Sequence, residues 1–178
     1  MDYQAIIDKY YPEDTELRRI LITHSQSVAR KALQIVSAHP ELHLDAEFVE
    51  EAAMLHDIGV YLTHAPSIYC TGEEPYIRHG IIGAELLRNE GYPKHALVCE
   101  RHTGTGLTVD DIISQNLPLP HRDMCPISLE EKLVCFADKF YSKSTPDQEK
   151  PFDKVRKSVA KYGDASLHRF DEMATLFL

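Results

Sequence analysis

The chain has 178 residues, with 19 Lys and Arg against 28 Asp and Glu, a formal net charge of −9. At this length roughly two-thirds of the unfolded surface can be buried, so one domain is expected and no disulfide is required. The acidic balance argues against extended binding to duplex nucleic acid, where basic residues dominate. It leaves room for a small anionic substrate met by local cations or by metal.

Met1 is followed by Asp2, with neither a basic nor an apolar leader, so no signal peptide is expected. Residues 2 to 10 predict a short amphipathic segment, broken at Tyr11-Pro12. Glu13 to about His24 predicts a helix, with Leu17, Ile20, Leu21 and His24 at i, i+3, i+4 and i+7. A second helix is expected from about Ser25 to Ala38, ended by Pro40. Asp45 is placed to N-cap the next helix, which carries Phe48, Val49, Ala52, Ala53 and His56 on one side. Gly59 reads as its C-terminal stop.

Val60 to Pro75 has no sustained period and predicts a long loop. Tyr76 to Asn89 predicts a helix with His79, Ile82, Gly83, Leu86 and Leu87 on one face. After the Gly91-Tyr92-Pro93 turn, a helix from Pro93 to His102 turns Val98, Cys99 and His102 inward. Thr103 to Ile127 is rich in Gly and Pro and reads as a functional loop, with one helical turn at Asp110 to Ser114. Ser128-Leu129-Glu130-Glu131 reads as a capping box that opens a helix through Phe140, with Asp138 inside it. Helices of about 152 to 162 and 165 to 177 follow. The expected fold is all-α. The four cysteines form no CxxC pair, which fits a cytoplasmic location. No apolar run approaches the ~18 residues of a membrane span, so no membrane partner is expected.

Six ionisable residues project into apolar helical stripes: His24, His56, Asp57, His79, His102 and Asp138. Buried aspartates need cations, and the interior of a helix bundle can assemble them. Four histidines and two carboxylates are too many for one ion with an open position, and they suit two. A carboxylate can bridge two metals about 3.5–4 Å apart. The mixed N/O set favours two divalent transition metal ions, iron or manganese first, then cobalt, nickel or zinc.

His24, the doublet His56-Asp57 in His-Asp-Ile-Gly, and Asp138 in Phe-Ala-Asp-Lys resemble the H…HD…D pattern of the HD superfamily of metal-dependent phosphohydrolases. His79 in Arg-His-Gly-Ile-Ile-Gly-Ala and His102 in Glu-Arg-His-Thr-Gly resemble the extra histidines of its binuclear members. The resemblance covers about residues 20 to 145, and locally looks most like the bacterial HD-type diadenosine-tetraphosphate hydrolases. Two departures stand out. Val60 occupies a position where many members have lysine, and the segment from Thr103 to Pro126 looks longer and differently composed.

The resemblance implies an HD-type helical bundle. One metal would be held by His24, His56, Asp57 and Asp138. The second would be held by His79 and His102, with Asp57 as the catalytic bridge. A hydroxide held between the metals would attack the phosphorus of a phosphoester or phosphoanhydride, expected to belong to a nucleotide. Two rival readings remain: an HD-fold di-iron oxygenase, and a non-catalytic nucleotide sensor. The oligomeric state is open.

Arg101, Thr103 and Lys143 are candidate substrate contacts, the cations for phosphate oxygens and the Thr103-Gly104-Thr105-Gly106 turn for backbone N–H contact with an anion. Arg78 and Lys139 also adjoin proposed ligands, but neighbours on a helix point about 100° apart, which suits surface ion pairs. His64 and His121, in the two long loops, read as surface histidines, as do His39, His43, His95 and His168.

Overall fold

The computed structural model describes residues 1–178. Nine α-helices dominate: α1 Tyr3–Tyr10, α2 Glu16–Ala38, α3 Ala46–Leu55, α4 His79–Asn89, α5 Pro93–Arg101, α6 Val109–Ser114, α7 Leu129–Asp138, α8 Phe152–Ala160 and α9 Asp164–Phe177. The all-α expectation holds at the level of the fold. No helix is long and apolar enough to cross a membrane.

Helix α2 is one helix of 23 residues, not two. The apolar stripe is continuous through the expected break, because Leu21, His24, Val28, Ala32 and Ile35 all fall on the buried side. The polar run after His24 is absorbed locally, as Ser27 donates to the Thr23 carbonyl at 3.0 Å. Thr15 caps the start by accepting from Arg18 N–H at 3.1 Å. Asp45 caps α3 as expected, accepting from Phe48 N–H at 3.0 Å.

The predicted loops have more structure than their composition indicates. A 3₁₀ turn at Ile58–Leu62 leads into a small sheet of β1 Thr63–Ala65, β2 Cys70–Thr71 and β3 Glu74–Pro75. The strand order is β2-β1-β3, antiparallel at Ala65↔Cys70 and parallel at Thr63↔Glu74. Two- and three-residue strands are too short to give an alternating pattern. Beyond α5, Thr108 and Asp111 form a reciprocal capping box for α6, and Leu107 pairs with Met124. Ile112, Leu119 and Met124 bury a separate small cluster there. At Ser128 only half of the expected capping box forms. Its hydroxyl accepts from Glu131 N–H at 3.1 Å, but the Glu131 carboxylate is used by Ile127 N–H and Arg101 instead.

One continuous core of 34 buried residues runs through α1 to α5 and α7 to α9. Phe136 of α7 packs its ring against Phe140, Phe170 and Phe177, at centroid separations of 5.1, 5.3 and 5.7 Å. This seats α9 against α7. Cys99 and Cys135 are buried and free, as expected of small apolar residues.

Candidate metal centre

The six candidate ligands lie at helix ends more than in helix middles. His56 is the C-cap of α3, His102 the C-cap of α5 and Asp138 the last residue of α7. His79 opens α4, and only His24 is interior to its helix. Helix α7 therefore stops two residues before its expected end at Phe140. Three helix C-termini, each with a partial negative charge, converge where a cation would sit.

This placement also orients the rings. The Nδ1–H of His56 donates to the Ala53 carbonyl at 2.6 Å, that of His102 to Cys99 at 2.8 Å, and that of His79 to Tyr76 at 2.7 Å. A carbonyl can only accept, so the proton is on Nδ1 and the Nε2 lone pair is left for another partner. At α3 and α5 the accepting carbonyls belong to the last helical turn, which lacks intrahelical donors. One hydrogen bond thus satisfies the helix end and sets the tautomer. The Tyr76 ring stacks on His79 at 4.7 Å.

All six residues are buried, His56 and Asp57 completely at 0% exposure. Two nests share Asp57. His24, His56, Asp57 and Asp138 form one, and Asp57, His79 and His102 the other, with ligand atoms within 4.8 Å of one another in each. The Asp57 Oδ2 atom faces His24 Nε2 at 3.3 Å and His56 Nε2 at 3.0 Å. Its Oδ1 faces His79 Nε2 and His102 Nε2, both at 3.4 Å. Two ligand atoms ~2.1 Å from a shared ion lie ~3.0–3.4 Å apart in tetrahedral or octahedral geometry. Both Asp57 oxygens and His56 Nε2 are buried without a hydrogen-bond partner. Lys143 Nζ comes within 2.7 Å of Asp57 Oδ2, a charge contact outside hydrogen-bonding geometry. A fully buried carboxylate left this way is costly unless a cation completes it. The residues fit metal.

The titration of the nest residues follows the same division. Burial works against a charged His56, but Asp57 and Asp138 outweigh it and raise its pKa to about 10. Burial, and then neighbouring His102, push His79 down to about 3. Burial opposes ionisation of Asp57 and Asp138, yet His56 and Lys143 hold Asp57, and Lys139 with His24 hold Asp138, well below the ordinary carboxylate range. Asp57 serves both nests, so its charge lies between one where His56 is favoured charged and one where His79 and His102 are favoured neutral.

Two glycines bring the nests together. A Cβ on Gly59 would lie 2.4 Å from Gly83 N and from the His79 carbonyl oxygen. One on Gly80 would lie 2.6 Å from the Cys99 carbonyl oxygen. Gly59 is therefore not the helix stop expected of it. It allows the turn carrying Asp57 to touch α4, while Gly80 allows α4 to touch α5. Tyr11 supports the same turn, its hydroxyl donating to the Ile58 carbonyl at 2.8 Å.

A cleft of about 650 Å³ opens over the nests, bordered by His24, His79, His102 and Asp138. Lys143 and Thr103 border it as expected. Arg101 does not: its guanidinium donates to both Glu131 oxygens at 3.1 and 2.8 Å. Arg78 donates to the Pro118 carbonyl at 2.8 Å and ties down the 103–127 segment. Lys139 lies on the cleft wall, 2.6 Å from Asp138 Oδ2. His64 and His121 are exposed and not part of the lining. His95 is not a surface residue. It is buried, with Nε2 2.8 Å from Glu51 Oε2, which links α5 to α3.

Two groups of residues escaped sequence reasoning. The turn after His102 is clamped from α9: Thr105 shares a hydroxyl contact of 2.9 Å with Ser166, and Arg169 donates to the Thr105 and Gly106 carbonyls at 3.3 and 3.1 Å. Lys150 also borders the cleft. Neither signal is local in sequence.

The model of the HD domain family matches residues 21–142. The chain belongs to that family. An uncharacterised protein of Methanocaldococcus jannaschii is 38% identical over 121 residues, 66% of this chain and 64% of the relative. The tRNA (cytidine(56)-2′-O)-methyltransferase of Picrophilus torridus is 32% identical over 144 residues, 75% of this chain but 38% of the relative. Ribonuclease Y of Acidothermus cellulolyticus is 33% identical over 78 residues, 42% of this chain and 14% of the relative. The chain thus spans less than two-thirds of the length of each of these relatives. No solved structure matches. The HD domain and the clustered His and Asp side chains fit a metal-dependent phosphohydrolase.

Proposed function

We propose that this HD-family chain hydrolyses a phosphoester or phosphoanhydride of a small phosphorylated molecule, a nucleotide, using two divalent transition metal ions. The observation that carries the reading is Asp57, buried, unsatisfied and facing a separate histidine-bearing nest with each oxygen. His24, His56, Asp57 and Asp138 would hold one ion. His79 and His102, with Asp57 shared, would hold the other. The mixed imidazole and carboxylate set suits iron or manganese. When bound, the metals supply a water of lowered pKa and charge stabilisation at phosphorus.

The chain's own residues perform the remaining tasks. The carbonyls of Ala53, Tyr76 and Cys99 hold three imidazoles in the ligating tautomer. Lys143 brings an ammonium to Asp57 at the base of the cleft, where it can meet a phosphate oxygen. Thr103 borders the entrance. The cleft has room for a mononucleotide-sized ligand, which favours a small substrate over a polymer.

The test is a panel of dinucleoside polyphosphates, mononucleotides, cyclic dinucleotides and a short single-stranded RNA, assayed with manganese and with iron. Phosphate release from a nucleotide, with close to two ions per chain by metal analysis, is the expected result. Turnover that requires oxygen, with a mixed-valence iron signal, would replace the reading with an oxygenase. Full activity after exhaustive chelation would overturn it.

A further inference from the structure

The chain is acidic overall, with a formal charge of −9, yet Asp138 is the one acid bordering the cleft, against Lys139, Lys143 and Lys150. Two of these lysines are already engaged. Lys139 Nζ lies 2.6 Å from Asp138 Oδ2, and Lys143 Nζ lies 2.7 Å from Asp57 Oδ2. Lys150 differs from both. Its ammonium has no carboxylate within ion-pair distance and no hydrogen-bond acceptor, although the residue is half-buried. Its position is anchored, because its backbone N–H donates to the carbonyl of core residue Phe140 at 2.8 Å. Burial lowers its pKa, Asp138 opposes this, and Lys139 and Lys154 add to the lowering. It is a cation short of counter-charge.

A half-buried ammonium with no partner is costly in a resting protein. The cost is offset when a ligand supplies the anion. Two divalent ions in the nests would more than neutralise Asp57 and Asp138, so Lys139 and Lys143 would join Lys150 in facing the cleft without compensation. A single phosphate, at about −1.5 to −2, does not balance that wall.

We propose that Lys150 is the centre of a second anion subsite, apart from the metal nests, and that the substrate carries a second phosphoryl group besides the one hydrolysed. This rests on the phosphohydrolase reading and narrows it to substrates bearing two or more phosphoryl groups. The hydroxyls of Ser158 and Tyr162 border the same cleft and can add hydrogen bonds to such a group.

Calorimetric titration of the manganese-loaded chain tests this, with inorganic phosphate, methylenediphosphonate and tripolyphosphate as probes. The unaltered chain should bind the longer probes at least about tenfold more tightly than phosphate, the scale of one hydrogen bond to a charged group. Lys150→Gln should abolish most of that preference and Lys150→Arg should retain it. Metal content is measured on every variant. An equal preference in the unaltered and Lys150→Gln chains would overturn the subsite and leave the phosphohydrolase reading standing. Loss of metal from Lys150→Gln would also overturn it, because Lys150 would then act on the nests. If the metal-loaded chain binds none of the three probes, both readings fall together.

Discussion

The metal nests and the lysine wall of the cleft solve opposite problems. In the nests three of the four rings are oriented by a carbonyl three residues earlier in the chain, and Asp57 is buried without a hydrogen-bond partner. On the wall, Lys139, Lys143 and Lys150 come from the segment after α7, and Lys150 has no acidic partner at all. The nests present carboxylate and imidazole ligand atoms that could hold cations. The wall presents ammonium groups, one of them without a partner. Local hydrogen bonding makes the first a matter of helix ends. The second depends on how the segment between α7 and α8 folds back, with the Lys150 N–H donating to the Phe140 carbonyl at 2.8 Å.

The largest effect that would sharpen this contrast comes from Asp57→Ala. It removes the one residue common to both nests, so metal content should fall from close to two ions toward zero and activity should fall below detection. A variant retaining both ions would remove Asp57 as the bridge. Next, chelation of the intact chain should lower its thermal stability, since ions that bind only the folded state stabilise it by about 4 kcal/mol each at a thousandfold excess over Kd. Calorimetry before and after restoring manganese measures this, and an unchanged melting temperature would mean that the nests hold no ion.

Gly59→Ala should cost about 3 kcal/mol, the upper range of overpacking, because the added Cβ meets backbone atoms of His79 and Gly83 at 2.4 Å. It should also selectively loosen the nest of His79 and His102, read as loss of one ion of two. Denaturant unfolding together with metal analysis checks both. The smallest effect is expected at Arg169→Gln. It removes hydrogen bonds to the Thr105 and Gly106 carbonyls, so about 1–2 kcal/mol of stability should be lost, with KM rising more than kcat falls. An unchanged KM would show that the clamp does not reach the cleft.

The six nest residues were legible because helical spacing marks which side of a segment turns inward, and a charged residue on that side is conspicuous. The end of the helix was legible at His102, expected to close the segment from Pro93, but not at His56 or Asp138. Those two continue the periodic stripe, and periodicity alone does not register that the backbone stops. Gly59 was misread for the same reason. A glycine after a helix suggests a stop, and only the approach of α4 reveals that it is a contact point. Arg101 and Lys143 both lie near nest residues in sequence. The buried carboxylate of Glu131 draws Arg101 away from the cleft, and Asp57 draws Lys143 into it.

From the order of its residues alone, this chain declares an all-α fold and a set of inward-facing imidazoles and carboxylates that could hold metal. Those properties follow from the 3.6-residue period and from the cost of burying charge, which act within single segments. The tertiary structure decided that Asp57 presents one oxygen to each nest, that two glycines allow the nests to meet, and that Lys150 borders the same cleft without a partner. These depend on distances between segments far apart in the chain, set by how closely two backbones can approach.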